Sequence, residues 1–426
     1  MKRNRIMEAM VVTAAVVAVT LTGCSSSTTA QAKTLNVISL IQPGTLTGDV
    51  QAQVIKDFEK ATGAKVNLVV NANTLPDAYE TSAAGGKESD VAIVNLAEKS
   101  TNWVKQGIAV PASKYLSSWG LASKIKPDAL NAWKDSKGQV QGFPYSGFVW
   151  PVWYNTALLK QAGIASVPTT TDELIKDAAA LKSAGVPGMI IGGNDWSGQK
   201  LFLQIMQSYL STSAAQKVFA NGGYCASSDA MKGIDLFVKL RDAGLFVKDS
   251  QGYTADQMNA AYYGGKAAMM SAGSWAFGSA PTAIQDVTTL GGFPVPSGGT
   301  YNKPTAFDGY TGTGFWVSPN GAKSDKIDLV KQFITAWYAP KVASAFASAS
   351  DGPVAATTTS SSATISNKIT AQAVNDVPKL VDFAVMPDTY VPGTLSSPMI
   401  RETSLAFTPG TSADSICKAM DSVYQG

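Results

Sequence analysis

The sequence predicts an α/β protein in which strands and helices alternate. Three observations carry that prediction. Runs such as TLNVISLI (34–41) and SDVAIVNLA (89–97) are rich in β-branched and apolar residues, the composition of buried strands. Between them, Val50, Val54, Ile55 and Phe58 recur at helical spacing in GDVQAQVIKDFEKATG. The order β, α, β, α, β that results implies a parallel sheet covered by helices.

Each element has its own local signal. The first helix ends at Gly63, a residue suited to a left-handed C-cap. AKVNLVVNAN is a second strand, and a second helix spans Leu75 to Ala84. The stretch QVQGFPYSGFVWPVWYN (139–155) is aromatic and extended, with two prolines that forbid a regular helix. In VPTTTDELIKDAAALKSAG, a Thr N-cap opens a helix that Gly185 closes. GMIIGGNDWSGQKLFLQIMQSYL reads as a strand, a turn bearing Trp196, and a helix. Further helices are expected over 228–243 and 255–263. After them, Gly264 and Gly265 stop a helix and KAAMMSA forms a short buried strand that delivers Trp275. FPVPSGGTYNKP is a loop, GYTGTGFWVSP is extended, and DKIDLVKQFITAWYA is an amphipathic helix with Phe333 and Trp337 on its apolar side. No repeat of 20–50 residues stands out.

The amino terminus sets the compartment. Lys2, Arg3 and Arg5 precede an apolar stretch from Met10 to Leu21, too short to span a bilayer and suited to a signal peptide. It ends in Leu21-Thr22-Gly23-Cys24, which resembles the bacterial lipoprotein cleavage box and marks Cys24 as the lipidated residue. Residues 1–23 are then a signal peptide, and SSSTTAQA within 24–33 is a polar tether. Two acyl chains on Cys24 suffice for stable anchoring to a membrane. Cleavage lowers the formal charge from +3 to about +1, which gives no reason to expect a nucleic-acid partner. The two other cysteines, Cys225 and Cys417, leave a disulfide and two buried thiols equally open.

The 426 residues contain no histidine. Ser-His-Asp and Cys-His nucleophiles and His-ligated zinc are thereby excluded, and two thiols are too few for a cysteine-rich metal site. Lys87 and Lys266 follow Gly-Gly pairs, but not in the spacing of a phosphate loop. No cofactor and no metal is expected. Among common hydrolytic chemistries only paired carboxylates remain, for which Asp195, Asp308 and Asp351 are the candidates.

Several segments in order resemble the extracellular solute-binding proteins of carbohydrate ABC importers, the relatives of maltose-binding protein. They are VIKDFEKATGAKVNL, GFPYSG with VWYNTALLKQAGI and VPTTTDEL, YYGGKAAMMSAGSW, FPVPSGG, GYTGTGFWV and DGPVAA. The match weakens after Thr357. The resemblance implies a type II periplasmic-binding-protein-like fold, two α/β lobes with the ligand cleft between them. One lobe would comprise 34–146 and 309–352, the other 147–308 and 353–426. It implies a non-enzymatic, monomeric receptor that closes on a sugar or oligosaccharide and presents it to an ABC permease. A receptor of the same fold for a non-sugar solute, or a surface carbohydrate-active enzyme, is the alternative.

Ligands of open α/β sheets sit at the carboxyl ends of strands. Sugars need aromatic faces for their C–H groups and Asp, Asn or Gln for their hydroxyls. The loops after the strands offer Gln42, Asn71, Asn73 and Asn95 in the first lobe, and Asp195, Trp196 and Gln199 in the second. The crossing segments add Tyr145, expected at the cleft mouth, with Asp308 and Tyr310. Trp275 matches the position at which the family places a stacking aromatic. Trp153, Trp316 and Trp337 are read as core.

Overall fold

The computed structural model describes residues 33–71, 74–350, 353–357 and 367–425. The expected signal peptide, Cys24, nearly all of the expected tether, Asn73 and Asp351 lie outside them. Ten strands occur among the described residues: β1 Thr34–Ser39, β2 Lys65–Val70, β3 Val91–Val94, β4 Phe143–Trp150, β5 Val152–Asn155, β6 Met189–Ile190, β7 Met269–Ser271, β8 Thr288–Gly291, β9 Thr305–Val317 and β10 Asp382–Phe383. They form two sheets. One runs β10-β9-β3-β1-β2, with β4 also paired to β9; the other runs β6-β7-β5-β8.

The first sheet obeys the expected alternation. β1 pairs in parallel with β2 and with β3, the helices Leu46–Thr62 and Leu75–Ala84 connecting them. The Thr45 hydroxyl accepts from the Gly48 N–H at the start of the first helix, and Gly63 closes it at φ 68°. β1 stops at Ser39 rather than Ile41 because side chains take over the backbone's bonding. The buried Gln51 amide donates to the Ile41 carbonyl and accepts from the Ser39 hydroxyl, which in turn accepts from the Ile41 N–H. β3 is likewise shorter than its apolar run. Asn95 and Leu96 peel away, the Leu96 N–H donating to the Thr311 carbonyl of β9.

The second sheet rests on similar local devices. Thr170 and Glu173 form a capping box at the helix Thr171–Ser183. Hydrogen bonds from Thr169 and Thr170 hold the Glu173 carboxyl down at about 2. The helices Ser228–Asp242 and Ala255–Tyr263 fall within the stretches expected for them.

Each lobe has its own core. Leu35 through Tyr145 and Phe315 through Ala356 supply one, including Trp103, Trp133, Trp316 and Trp337. Val152 through Phe293 with Val391 through Val423 supply another, and a smaller cluster around Trp153 adjoins it. Val354, Ala355 and Ala356 belong to the first core, past the boundary drawn at 352.

Tyr145 corrects an expectation. It is fully buried in the first core, edge-on to Phe315, Trp337, Tyr338 and Phe346, and its hydroxyl donates to the Trp337 carbonyl. A ring enclosed on four sides by rings does not reach the cleft mouth. A break in the ladder places it: the register of β4 against β9 shifts between Pro144 and Ser146, so Tyr145 has no β9 partner of its own and its ring turns into the first core.

β4 and β9 are the crossing. They pair antiparallel within the first sheet, with register shifts between Pro144 and Ser146 and between Ser146 and Phe148, and β4 runs on directly into β5 of the second sheet. Pro151 separates β4 from β5 and has no N–H to continue a ladder, so the chain changes sheets there. A Cβ on Gly147 would lie 2.3 Å from the Gly309 carbonyl oxygen and 2.9 Å from a Pro353 ring carbon, so only glycine admits the three segments together. The Gly147 N–H donates to the Pro353 carbonyl at 2.7 Å.

Cys225 and Cys417 form a disulfide, with Cα atoms 5.1 Å apart. It ties the loop before the helix Ser228–Asp242 to the last helix, Ala413–Val423. The Asp421 carboxylate reinforces the same junction by accepting from the N–H groups of 223, 224 and 225. Such a long loop makes the bridge worth roughly 2–5 kcal/mol. Cys225→Ser/Cys417→Ser should therefore melt several degrees below wild type. Wild type in reductant should fall to the same melting temperature, and the double variant should be indifferent to reductant.

Candidate ligand site

Trp275 ends β7's short apolar run, in a single 3-10 turn over Ser274–Ser279. Its indole is 47% exposed, unusual for a ring surrounded by so many others. It stands edge-on to Trp150 (5.0 Å between centroids, 84° between planes), Trp196 (5.7 Å, 65°) and Phe148 (6.2 Å, 61°). Trp150 and Phe148 are buried, at 2% and 5% exposure. Edge-to-face contacts place the positive rim of one ring on the negative face of another, so the group fixes Trp275 without covering it.

Two further contacts set that geometry. The Trp150 indole N–H donates to the Ser271 hydroxyl of β7 at 3.0 Å, locking the supporting ring. At Gly273, a Cβ would meet three atoms of the Trp275 ring at 2.2–2.8 Å. The indole therefore folds back over a residue that has no side chain. The segment Ser274–Ser279 also touches the helix Pro340–Ser350, whose residues pack in the other lobe's core, so Trp275 lies where the lobes meet.

The other expected residues separate. Trp196 opens the helix Trp196–Met206 and joins the aromatic group. Asp195 is that helix's N-cap: one oxygen accepts from the Ser197 N–H and hydroxyl, the other from the Ala255 N–H at the next helix start. Both oxygens are engaged in capping. Gln199 is buried and accepts from the Lys200 ammonium, which is itself paired with Asp388 at 2.6 Å. Asn71 spends its side chain on Thr74, closing the turn before the helix Leu75–Ala84. Gln42 is exposed on a loop pressed against Gly48, where a Cβ would meet its carbonyl oxygen at 2.1 Å. Asn95 is half-buried at the end of β3, beside the crossing strand.

Asp308 and Tyr310 face away from Trp275. Phe148, Trp150 and Phe307 share one face of the β4/β9 ribbon, since Phe148 pairs with Gly309 and Trp150 with Phe307. Asp308, paired with Val149, points from the opposite face. There it enters a separate cleft of about 480 Å³.

No helix of the described residues is long and apolar enough to cross a membrane. Among the same residues no group of metal-ligating side chains occurs. Residues 44–344 match the family model described as bacterial extracellular solute-binding protein. The chain belongs to that family. Its members are substrate-binding proteins without catalytic activity, and this solute-binding protein has the two-lobed type II fold. Among solved structures, a probable secreted solute-binding lipoprotein from Streptomyces coelicolor is 36% identical over 93% of this chain and 100% of its own, with a TM-score of 0.79. A protein from work on xylan utilisation by Caldanaerobius polysaccharolyticus is 19% identical (TM-score 0.78, 91% of this chain, 99% of that one). Maltose-bound MalE3 of T. maritima is 15% identical (TM-score 0.73, 92% and 99%). No curated protein matches this solute-binding protein in sequence.

Phe148, Trp150, Ser271 and Gly273 were not expected at the site. A signal for the first pair was present: Phe148 and Trp150 are two apart in an extended segment and so share a face. Nothing local in the sequence joins Ser271 to Trp150. Gly273→Ala should force the Trp275 ring off its supports. The expected outcome is a weakened exciton couplet from the edge-on indoles in circular dichroism, with the melting temperature changed by only a few degrees.

Proposed function

We propose that the protein is an extracytoplasmic receptor that binds a sugar or oligosaccharide between its lobes, with Trp275 as the stacking platform, and delivers it to an ABC permease. The observation that carries this reading is the half-exposed indole standing on a buried aromatic cage at the junction of the lobes. An ordered, water-facing aromatic face suits the C–H face of a pyranose, and Gln42 and Asn95, on strand-end loops of the other lobe, would be the partners for its hydroxyls. Fold relatives described with xylan utilisation and with bound maltose support the same class of ligand. Closure of the lobes about the two-stranded β4/β9 ribbon would enclose the sugar, a hinge motion. The permease would then read the closed form, with no chemistry required of this chain.

Trp275→Ala tests the platform. Affinity for the sugars that stabilise wild type in a thermal-shift screen should fall at least tenfold, about 1.4 kcal/mol, while the melting temperature without ligand is kept. Stabilisation only by metals, polyamines or amino acids in that screen would reject a sugar as the solute.

Lipid anchoring at Cys24 belongs to the same proposal. It rests on the Leu-Thr-Gly-Cys box and on the likeness to a secreted lipoprotein. Cys24→Ser expressed in bacteria should move the protein from the membrane fraction to the soluble one, as read by fractionation and immunoblot.

A further inference from the structure

The sequence joins Tyr262 and Tyr263 to Trp275 in one motif, YYGGKAAMMSAGSW, and the fold gives the two tyrosines different tasks. Tyr262 is fully buried, and its hydroxyl shares a hydrogen bond with the Thr288 hydroxyl of β8 at 3.1 Å. It serves the second sheet. Tyr263 is half-buried at the end of the helix Ala255–Tyr263 and donates its hydroxyl to the Ala276 carbonyl at 2.6 Å. Ala276 follows Trp275 in the 3-10 turn Ser274–Ser279. Burial pushes the Tyr263 pKa up, so the hydroxyl remains a donor across the physiological range.

A second donor reaches the next carbonyl from a distant part of the chain. The Asn367 amide nitrogen donates to the Phe277 carbonyl at 3.0 Å, across 90 positions. Its amide oxygen accepts from the Ile369 and Thr370 N–H groups and caps the helix Lys368–Asn375. One side chain thus fastens a helix start to the Trp275 turn. The flanks of the turn are held as well, the Trp153 indole N–H donating to the Ala272 carbonyl and the Gln285 amide to the Ala280 carbonyl, each at 2.8 Å. A 3-10 turn of six residues has poorer hydrogen-bond geometry than an α-helix and gains from such support. The rings around Trp275 orient the indole, but a ring is no better placed than the backbone that bears it.

We propose that Tyr263 and Asn367 are the positioning residues of the Trp275 platform: their donors, on two successive carbonyls, hold the 3-10 turn and its indole in the orientation that meets ligand. This rests on the reading of Trp275 as the platform. Neither side chain is required to touch the ligand. Loss of either donor would let the turn sample other orientations, and binding would have to restore the productive one. That penalty is bounded by what the lost hydrogen bond contributed, so affinity falls by about threefold to tenfold rather than vanishing.

The test is fluorine NMR of the mature protein labelled with fluorotryptophan, without ligand. Beside it stands calorimetric titration with the sugar that most stabilises wild type in the thermal-shift screen, maltose and xylobiose among those screened. The chain has nine tryptophans, and the Trp275 resonance is the one missing from Trp275→Phe. Tyr263→Phe removes only the hydroxyl and keeps the ring beside Trp153. Asn367→Ser keeps an N-cap oxygen and loses the reach to Phe277. Each variant should shift or broaden the Trp275 resonance and leave those of Trp103, Trp133 and Trp337, in the first core, unchanged. Each should also weaken sugar binding by about threefold to tenfold, with the melting temperature kept within a few degrees. The proposal is overturned if the Trp275 resonance is unmoved in either variant. It is also overturned if a variant with a moved resonance binds sugar at full strength while Trp275→Ala does not. Unchanged affinity in Trp275→Ala would instead reject the platform, and the ligand-free spectrum would still decide the positioning.

Discussion

The close approach of three backbone segments at Gly147, Gly309 and Pro353 is the constraint on which the molecule depends. Here β4 and β9 pair as one ribbon between the two cores, and a methyl group at 147 would collide with a carbonyl and a proline ring. Everything functional is referred to this crossing. It joins the two cores, it carries Phe148 and Trp150 toward one side and Asp308 toward the other, and it is the element about which the proposed closure would turn. A two-stranded ribbon suits that last role. It has few long-range partners in its middle, where β9 pairs with neither β3 nor β10.

The aromatic group at Trp275 shows how an exposed ring is held in one orientation by its neighbours. An exposed indole on a flexible loop would lose conformational freedom on binding. Here that cost is met during folding, by three rings at edge-on geometry, by the Ser271 hydroxyl holding Trp150, and by the missing side chain at Gly273. Only the indole is left in water. Two of the three Asp residues first considered for chemistry are disposed quite differently. Asp195 is consumed by two helix starts, and Asp308 is exposed on the crossing ribbon.

Much of the fold was legible because it is local. Helix caps at Thr45, Gly63 and Thr170, the β-branched strands and the prolines of the crossing segment all act over a few residues. The candidate site was legible only in part. Trp275 and Trp196 were found because a tryptophan at a strand end or helix start departs from turn preferences. Tyr145 was misjudged, since an aromatic in an extended segment has the same signature on either face, and a break in the pleat decides which. Asn71 and Asp195 illustrate the reverse. Their residue types serve ligands and turns alike, and here their hydrogen bonds go to the chain itself.

The sequence by itself determined the α/β class, the helix and strand order and the absence of histidine chemistry, and it supplied the Leu-Thr-Gly-Cys box on which the proposed lipid anchor rests. These follow from composition and from periodicities within single segments. Tertiary structure alone decided that Cys225 and Cys417 are bonded, that Trp150 is fixed by Ser271 across 121 positions, and that Asp308 and Trp275 face opposite sides of one ribbon. The reason is physical. Which groups meet depends on the register of β4 against β9 and on the packing of two separate cores, and neither is encoded within any one stretch of chain.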